Sequence, residues 1–267
     1  MRREAIEVLR CPACHGDLRP DDADKPKLTG GELACTSCGR GWSIDRGVPD
    51  LVFPEELVEA DAASRRLWDR IGRFYDLIGP LTNVIRGVSL TTERRELVDR
   101  LGLGSKSVAL EIAAGTGENL RLMAEHLNGE GAAFGVDLSR RMIGRAERKL
   151  TKAGTSGTLV LGNAVRLPFR DSAFDAVLDG FGMKYYSDKP RSVREMLRVV
   201  KPGGKVVIAE LGVPQKESLT VRQRLLRAWI PHFDEPPPMD AIPEGVGELS
   251  LSWDAHDTAY VIEFRKL

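Results

Sequence analysis

All four cysteines of this 267-residue chain fall between positions 11 and 38, in two Cys-x-x-Cys pairs, Cys11/Cys14 and Cys35/Cys38, separated by 20 residues. A pair with this spacing lets two thiolates reach one tetrahedral ion at about 2.3 Å each. Two matched pairs at this separation specify a four-cysteine zinc site. A redox dithiol would need a single pair on a thioredoxin-like scaffold, so metal is the better reading. His15 follows the first pair and is read as a surface residue. A segment of some 50 residues buries little apolar surface by itself, so the metal is expected to be structural and to supply folding energy.

Beyond residue 54 the pattern changes. Residues 55–88 carry apolar positions at helical spacing, with Gly79-Pro80 expected to break the run. Short continuous apolar stretches then alternate with amphipathic ones. Strands are expected at 108–114, 132–138, 158–164, 174–181 and 205–211, and helices at 118–127, 140–153 and 191–200. Lys201-Pro202-Gly203-Gly204 is read as a turn. This alternation predicts an α/β fold, a Rossmann-like parallel sheet with helices on both faces, preceded by the small ribbon. Residues 213–247, rich in proline, hold one helix at 218–229 and are read as a lid. Residues 248–267 alternate as a hairpin closing one sheet edge. The chain thus divides into a ribbon (1–54), a helical linker or cap (55–88) and an α/β domain (89–267).

The chemistry concentrates at Glu111-Ile112-Ala113-Ala114-Gly115-Thr116-Gly117-Glu118-Asn119, where a strand turns into a helix. Glycines there let the backbone approach a ligand closely. A dinucleotide fingerprint would place a third glycine at position 120, which is Leu120. Glu111 and Glu118 flank the loop and would repel a pyrophosphate. They suit a ligand carrying an ammonium and a sulfonium, as S-adenosylmethionine does. Asp137 ends the next strand, 20 residues after Gly117. An acid there can accept from both ribose hydroxyls, or alternatively cap the following helix. Asn163 and Ala164 end the third strand, placed to read an adenine edge.

These residues carry a resemblance. The stretches EIAAGTGENL, GVDLSRRMIGRAERK, GNAVRLPFRDSAFDAVLDGFGMKYYSD and REMLRVVKPGGKVVIAEL resemble class I methyltransferases, in particular the ubiquinone/menaquinone-biosynthesis C-methyltransferase group. The resemblance runs from about residue 68 to 214. It implies that Glu111, Gly115 and Gly117 contact the methionine part of the cofactor, with Ala113 and Leu138 adjoining. Asp137 would hold the ribose and Asn163 and Ala164 the adenine. Tyr75, in a segment similar to that group's N-terminal helix, would touch the methionine end. The first 53 residues resemble the zinc-ribbon family that partners or activates methyltransferases. After residue 211 the resemblance fades, so it does not name the methyl acceptor.

Methyl transfer from a sulfonium is an in-line displacement that needs alignment and exclusion of water. A base is needed only where the acceptor loses a proton. Asp179, Tyr185, Tyr186, Glu210 and His232 are candidates, each more readily structural, and no catalytic residue is assigned. Phe181 and Met183 are read as lining an apolar acceptor pocket or as core. The basic run on helix 140–153 is read as a solvated face.

Lys plus Arg number 39 and Asp plus Glu 39, and residues 1–50 hold eight basic and nine acidic side chains. That balance weighs against a nucleic-acid partner. The expected partner is a small-molecule methyl acceptor that is quinone-like, isoprenoid or a secondary metabolite. A ribosomal-RNA methyltransferase using the ribbon to hold RNA, and a non-catalytic methyltransferase partner, are the alternatives. No apolar run approaches the roughly 20 residues of a membrane span, and the first residues show no signal-peptide pattern. A cytoplasmic location follows as an expectation; the oligomeric state is left open.

Overall fold

In the computed structural model, residues 1–21, 26–72, 75–216, 218–254 and 256–267 are described, residues 75–80 by their backbone alone. The ribbon begins with a 3₁₀ turn (Arg3–Val8) and continues as a small antiparallel sheet in the order β1 (Leu18–Pro20), β2 (Gly30–Cys35), β3 (Gly41–Asp45), β4 (Val48–Pro49). Strand β3 alternates outward and inward side chains, burying Trp42 and Ile44, the period expected of a sheet with one wet face.

Three helices follow: α1 (Glu59–Ile71), α2 (Tyr75–Arg86) and α3 (Leu90–Arg100). Helix α2 runs through Gly79-Pro80, where a break was expected. Pro80 is the sixth residue of the helix, past its first turn, and costs it one intrahelical bond, which tertiary anchoring offsets. The far end of α2 is anchored by buried Arg86, which donates to Glu93 (3.0 Å) and Asp254 (3.1 Å). Helix α3 has no counterpart in the sequence reading. Its run LTTERRELVDR is mostly charged, and only Leu97, Val98 and the following Leu101 form an apolar stripe.

The large sheet has the order β10-β11-β9-β8-β5-β6-β7. Its strands are β5 (Val108–Ile112), β6 (Ala132–Asp137), β7 (Thr158–Leu161), β8 (Phe174–Gly180), β9 (Val200–Leu211), β10 (Gly247–Trp253) and β11 (Ala259–Arg265). Strands β7, β6, β5, β8 and β9 are parallel, and the β10–β11 hairpin adds antiparallel at the β9 edge. Helices α4 (Glu118–Leu127), α5 (Arg140–Ala153), α6 (Lys189–Val199) and α7 (Val221–Trp229) complete the chain. Three of these four helices, α5, α6 and α7, start on a side-chain cap. Ser139 accepts from Met142 N and Asp188 from Arg191 N, while Thr220 and Gln223 form a capping box. That box starts α7 at Val221, three residues later than expected. Lys201–Gly204 belongs to β9 as a bulge, not a separate turn: Ala176 pairs with Lys205 although Phe174 pairs with Val200.

The chain order runs outward from β5 in both directions, so β5 and its neighbours β6 and β8 mark the point where the winding reverses. Ligands of doubly wound sheets sit outside the strand ends there.

The ribbon is not a free module. Leu51 N donates to Leu161 O (2.9 Å) on β7, and Leu9 bridges Phe169. Leu9, Leu51, Phe169, Phe174 and Phe134 share one core, with the three phenylalanine rings edge-to-face at 5.1–6.1 Å. The ribbon therefore covers the β7 edge, which would otherwise present unpaired backbone. Arg166 reinforces the contact. Its Nη2 donates to Ala13 O (2.9 Å), its Nε to Pro12 O, and its guanidinium stacks 4.8 Å from the Phe53 ring. On α5, Arg140 pairs with Asp50 at 2.6 Å and so joins the ribbon instead of only facing solvent. Among the described residues no helix is long and apolar enough to cross a membrane.

Candidate functional site

The four cysteine sulfurs all lie within 4.8 Å of one another, with Cys11–Cys38 at 3.8 Å and Cys14–Cys35 at 3.5 Å. A tetrahedron with metal–sulfur bonds of about 2.3 Å places its sulfurs some 3.8 Å apart. The donor set and spacing therefore fit a four-cysteine zinc ion, as the pairing implied. His15 is exposed and outside this set.

At the winding reversal, the glycine loop folds over the ends of β5 and β6. Gly115 has φ +53°, and a methyl group built on it would meet only Ala113 O at 3.7 Å. Its open side is pocket. Gly117 is different. It caps α4 at φ +76° and lies against Ala146 of α5, outside the pocket lining. The resemblance had implied a ligand contact for both.

Asp137 is held on both oxygens: Gly115 N donates to Oδ2 and Ser139 N to Oδ1, each at 2.8 Å. The cap of α5 is Ser139, so the capping alternative for Asp137 falls away. Asp137 lines the pocket beside Leu138, Ala113, Asn163 and Ala164. Glu111 lies beneath it, fully enclosed. Its Oε1 accepts from Asn119 Nδ2 (2.8 Å), and its Oε2 has no partner among the described residues. Tyr75's side chain lies outside the described residues.

Electrostatically, burial dominates the carboxylates of the site. Burial pushes Glu111 up to about 8, Asp137 up to about 6 and Asp179 up to about 6. Among the described residues no ion pair joins any of the three. For Glu111, desolvation outweighs the nearby Arg94 charge, and buried carboxylates favour their neutral form until a further cation arrives. The unpartnered Glu111 Oε2 and this acid cluster fit a cationic nucleoside and disfavour a pyrophosphate.

A further wall comes from an element the sequence reading did not assign to the site. Helix α1 supplies Asp61, Ser64, Arg65 and Trp68. Asp61 is buried and accepts from Asn163 Nδ2 (2.8 Å) and Ser187 N (3.2 Å). Asp69, on the same helix, accepts from Ser139 Oγ at 2.6 Å. Asp61, four residues before Arg65 and seven before Trp68, shares their helix face, but nothing in the sequence paired it with Asn163.

A second cleft of about 440 Å³ adjoins the first, and Trp68, Phe181 and Tyr185 line both. Its walls are largely apolar, including Ile71, Leu90, Leu211 and Trp229. Among its polar lining residues are Glu210, at the end of β9, and Arg94, on α3. Glu210 is buried, and burial pushes it up to about 7 against the nearby Lys184 charge. Arg94 lies 4.8 Å over the Phe181 ring with its Nε unpartnered. Of the remaining candidate bases, Asp179 accepts from Gly182 N (2.9 Å) under the loop. Tyr186 is held well above its ordinary pKa by burial and then by the Asp179 charge. His232 is half exposed, bonds Glu235 at 2.6 Å and lines neither cleft.

The fold is that of class I S-adenosylmethionine-dependent methyltransferases. A phosphoethanolamine N-methyltransferase 2 from Haemonchus contortus, solved with S-adenosyl-L-methionine, superposes with TM-score 0.61, covering 85% of this chain and 63% of its own at 17% identity. A chain from the complex between the Haloferax volcanii Trm112 methyltransferase activator and a putative methyltransferase gives TM-score 0.53 over 73% of this chain and 96% of its own, at 16% identity. The sequence profile of the ubiE/COQ5 methyltransferase family matches residues 61–233, and that of Trm112p-like proteins residues 2–47. The chain belongs to the ubiE/COQ5 methyltransferase family, with a Trm112p-like zinc ribbon at its N-terminal end. It is 36% identical over 172 residues to a demethylmenaquinone methyltransferase of Thermotoga maritima, covering 62% of this chain and 70% of that one. It is 35% identical over 150 residues to one of Anoxybacillus flavithermus, covering 56% of this chain and 62% of that one. Over several of these curated relatives the match spans somewhat less than two thirds of their length.

Proposed function

We propose that this protein transfers a methyl group from S-adenosylmethionine to a quinol-like small molecule. The observation that carries the reading is the pair of adjoining clefts, one acid-rich at the strand ends and one apolar, with Trp68, Phe181 and Tyr185 common to both. A methyl donor in the first and a flat apolar acceptor in the second would meet across those three rings. The relatives' names support the acceptor class.

The cofactor, when bound, supplies an electrophilic methyl on a sulfonium. The chain's residues do the rest. Asp137, fixed from both sides by backbone N–H groups, would accept from the ribose hydroxyls with its remaining lone pairs. Asn163 and Ala164 would hold the adenine, Gly115 would adjoin the methionine part, and buried Glu111 would favour its positive charge. Glu210 stands where a proton would leave the acceptor, with a pKa near neutrality. Residues 213–247 enclose the acceptor through Trp229, Ile230 and Pro231 and exclude water. The protein works in the cytoplasm.

The test uses the zinc-loaded protein, methyl-labelled cofactor and a chemically reduced short-chain demethylnaphthoquinol. Label should appear in a ring-methylated naphthoquinol identified by mass spectrometry. Cofactor binding without any transfer, or transfer to ribosomal RNA instead, would overturn the reading.

A further inference from the structure

Helix α7 turns an apolar stripe outward. Gln223 and Leu226 face inward and are buried, while Val221 (65% exposed), Leu225 (56%) and Trp229 (55%) point to solvent. These three recur every four residues and share one side of the helix. The helix VRQRLLRAW carries three arginines and no acid. Arg224 and Arg227 are exposed beside the stripe, and Arg227 pairs with Asp234 at 3.0 Å. Helix α2 packs against α7 through Ile85, and Arg222 Nη1 donates to Arg86 O at 2.9 Å. It adds two more exposed apolar residues, Leu81 and Val84. Trp229 also lines the apolar cleft, so this surface borders the cleft's rim.

An outward apolar stripe flanked by arginines is the pattern of a helix lying in a bilayer interface. A second copy of the chain fits less well. An isologous contact would set α7 against α7 and bring arginines to arginines. An anionic lipid surface complements the same charges, at a gain for each basic residue near it. We propose that the α7 face, with the exposed residues of α2, is a peripheral docking surface for an anionic lipid bilayer. It would bring the cleft's rim to the lipid, where an acceptor with a hydrocarbon tail is dissolved. The acceptor's lipophilicity rests on the proposed function; the docking itself does not.

The test is flotation of the zinc-loaded protein, without cofactor or acceptor, with vesicles of phosphatidylcholine containing about 30% phosphatidylglycerol. The protein should float with these vesicles and much less with pure phosphatidylcholine. Binding should weaken as salt rises from about 0.1 M to about 0.5 M. The exposed-residue variants Val221→Glu/Leu225→Glu and Arg224→Glu should each lower the partition roughly 10-fold. Both should keep the wild-type thermal midpoint and cofactor affinity. No binding to anionic vesicles, or equal binding by folded variants, overturns the proposal. So does a dimer in light scattering that Val221→Glu/Leu225→Glu dissolves, which would assign the face to a second copy. Loss of transfer to a water-soluble acceptor would instead strike the proposed function and leave the lipid surface standing.

Discussion

Asn163 donates its side-chain amide to Asp61 Oδ2 at 2.8 Å, across 102 residues of sequence, and so ties the end of the third parallel strand to the first turn of α1. One bond thereby sets the pocket wall at Asn163 and the helix that covers it. Removing the acceptor strands the Asn163 amide and Ser187 N in a buried site, at about 1–3 kcal/mol. Asp61→Ala should lower stability by that amount and weaken cofactor binding by roughly 10-fold, because the wall loses its register. Asp61→Asn retains an acceptor and should lose less. Calorimetric titration of wild type and both variants is the check. An Asp61→Ala protein that binds the cofactor as well as wild type would show that α1 is not part of the site.

Glu111 should make both stability and cofactor affinity depend on pH. Burial raises its folded pKa from the ordinary 4.5 to about 8. The folded cofactor-free protein thus holds a proton that the unfolded chain releases. The associated stability is fully present below about 4.5 and is lost as pH rises through about 8. A bound cation reverses the preference and favours the ionised carboxylate. Cofactor affinity should therefore strengthen with pH up to about 8, while the apo protein weakens over the same window. Glu111→Gln should flatten both trends. Denaturant titrations and calorimetry across this range supply the measurement, and identical pH slopes in wild type and variant would refute it.

Metal removal should reach beyond the ribbon. The composition of residues 1–54 suggests a module that unfolds alone. Yet Leu9 and Leu51, both fully buried, pack into the core of the large sheet, and Leu51 N bonds the β7 strand. Loss of zinc would expose that edge and the Phe169 ring behind it. Chelation is expected to lower the unfolding midpoint of the large domain by roughly 5 °C or more, and readdition of zinc to restore it. Differential scanning calorimetry decides the matter: an unchanged midpoint would mean that the two parts are energetically separate.

The zinc ligands, the parallel sheet and the ends of its strands were legible because each rests on a local rule: cysteine spacing, apolar runs, glycine and acid at a strand end. Asp61, Asp69 and Arg94 were not. Their roles depend on which distant partners they meet, and helical periodicity says which face a residue occupies, not what lies opposite. Gly79-Pro80 misled for the same reason. A local breaker signal was outweighed by the anchoring of Arg86, whose partners Glu93 and Asp254 lie 7 and 168 residues away. The pairing of Gly115 with Gly117 concealed two different physical tasks within one motif.

Those tasks can be separated by adding one methyl group at each position. At Gly117 the new carbon would lie 2.7 Å from Ala146 Cβ and 3.0 Å from its Cα, on a backbone at φ +76°. The left-handed conformation costs a side-chain-bearing residue about 1–2 kcal/mol, and overpacking adds about 1–3 kcal/mol. Gly117→Ala should thus be strongly destabilising, and Ala146→Gly in the same chain should relieve the Cβ clash and recover part of the overpacking cost, less the cost of glycine inside α5. At Gly115 the backbone is also left-handed, at φ +53°, but the nearest atom is 3.7 Å away. Only the conformational cost applies there, while the methyl group projects into the cofactor pocket. Gly115→Ala should therefore keep most of its stability in urea titrations and lose cofactor affinity in calorimetry. Equal destabilisation by the two substitutions, with affinity unchanged at position 115, would show that both glycines serve only the packing of the turn.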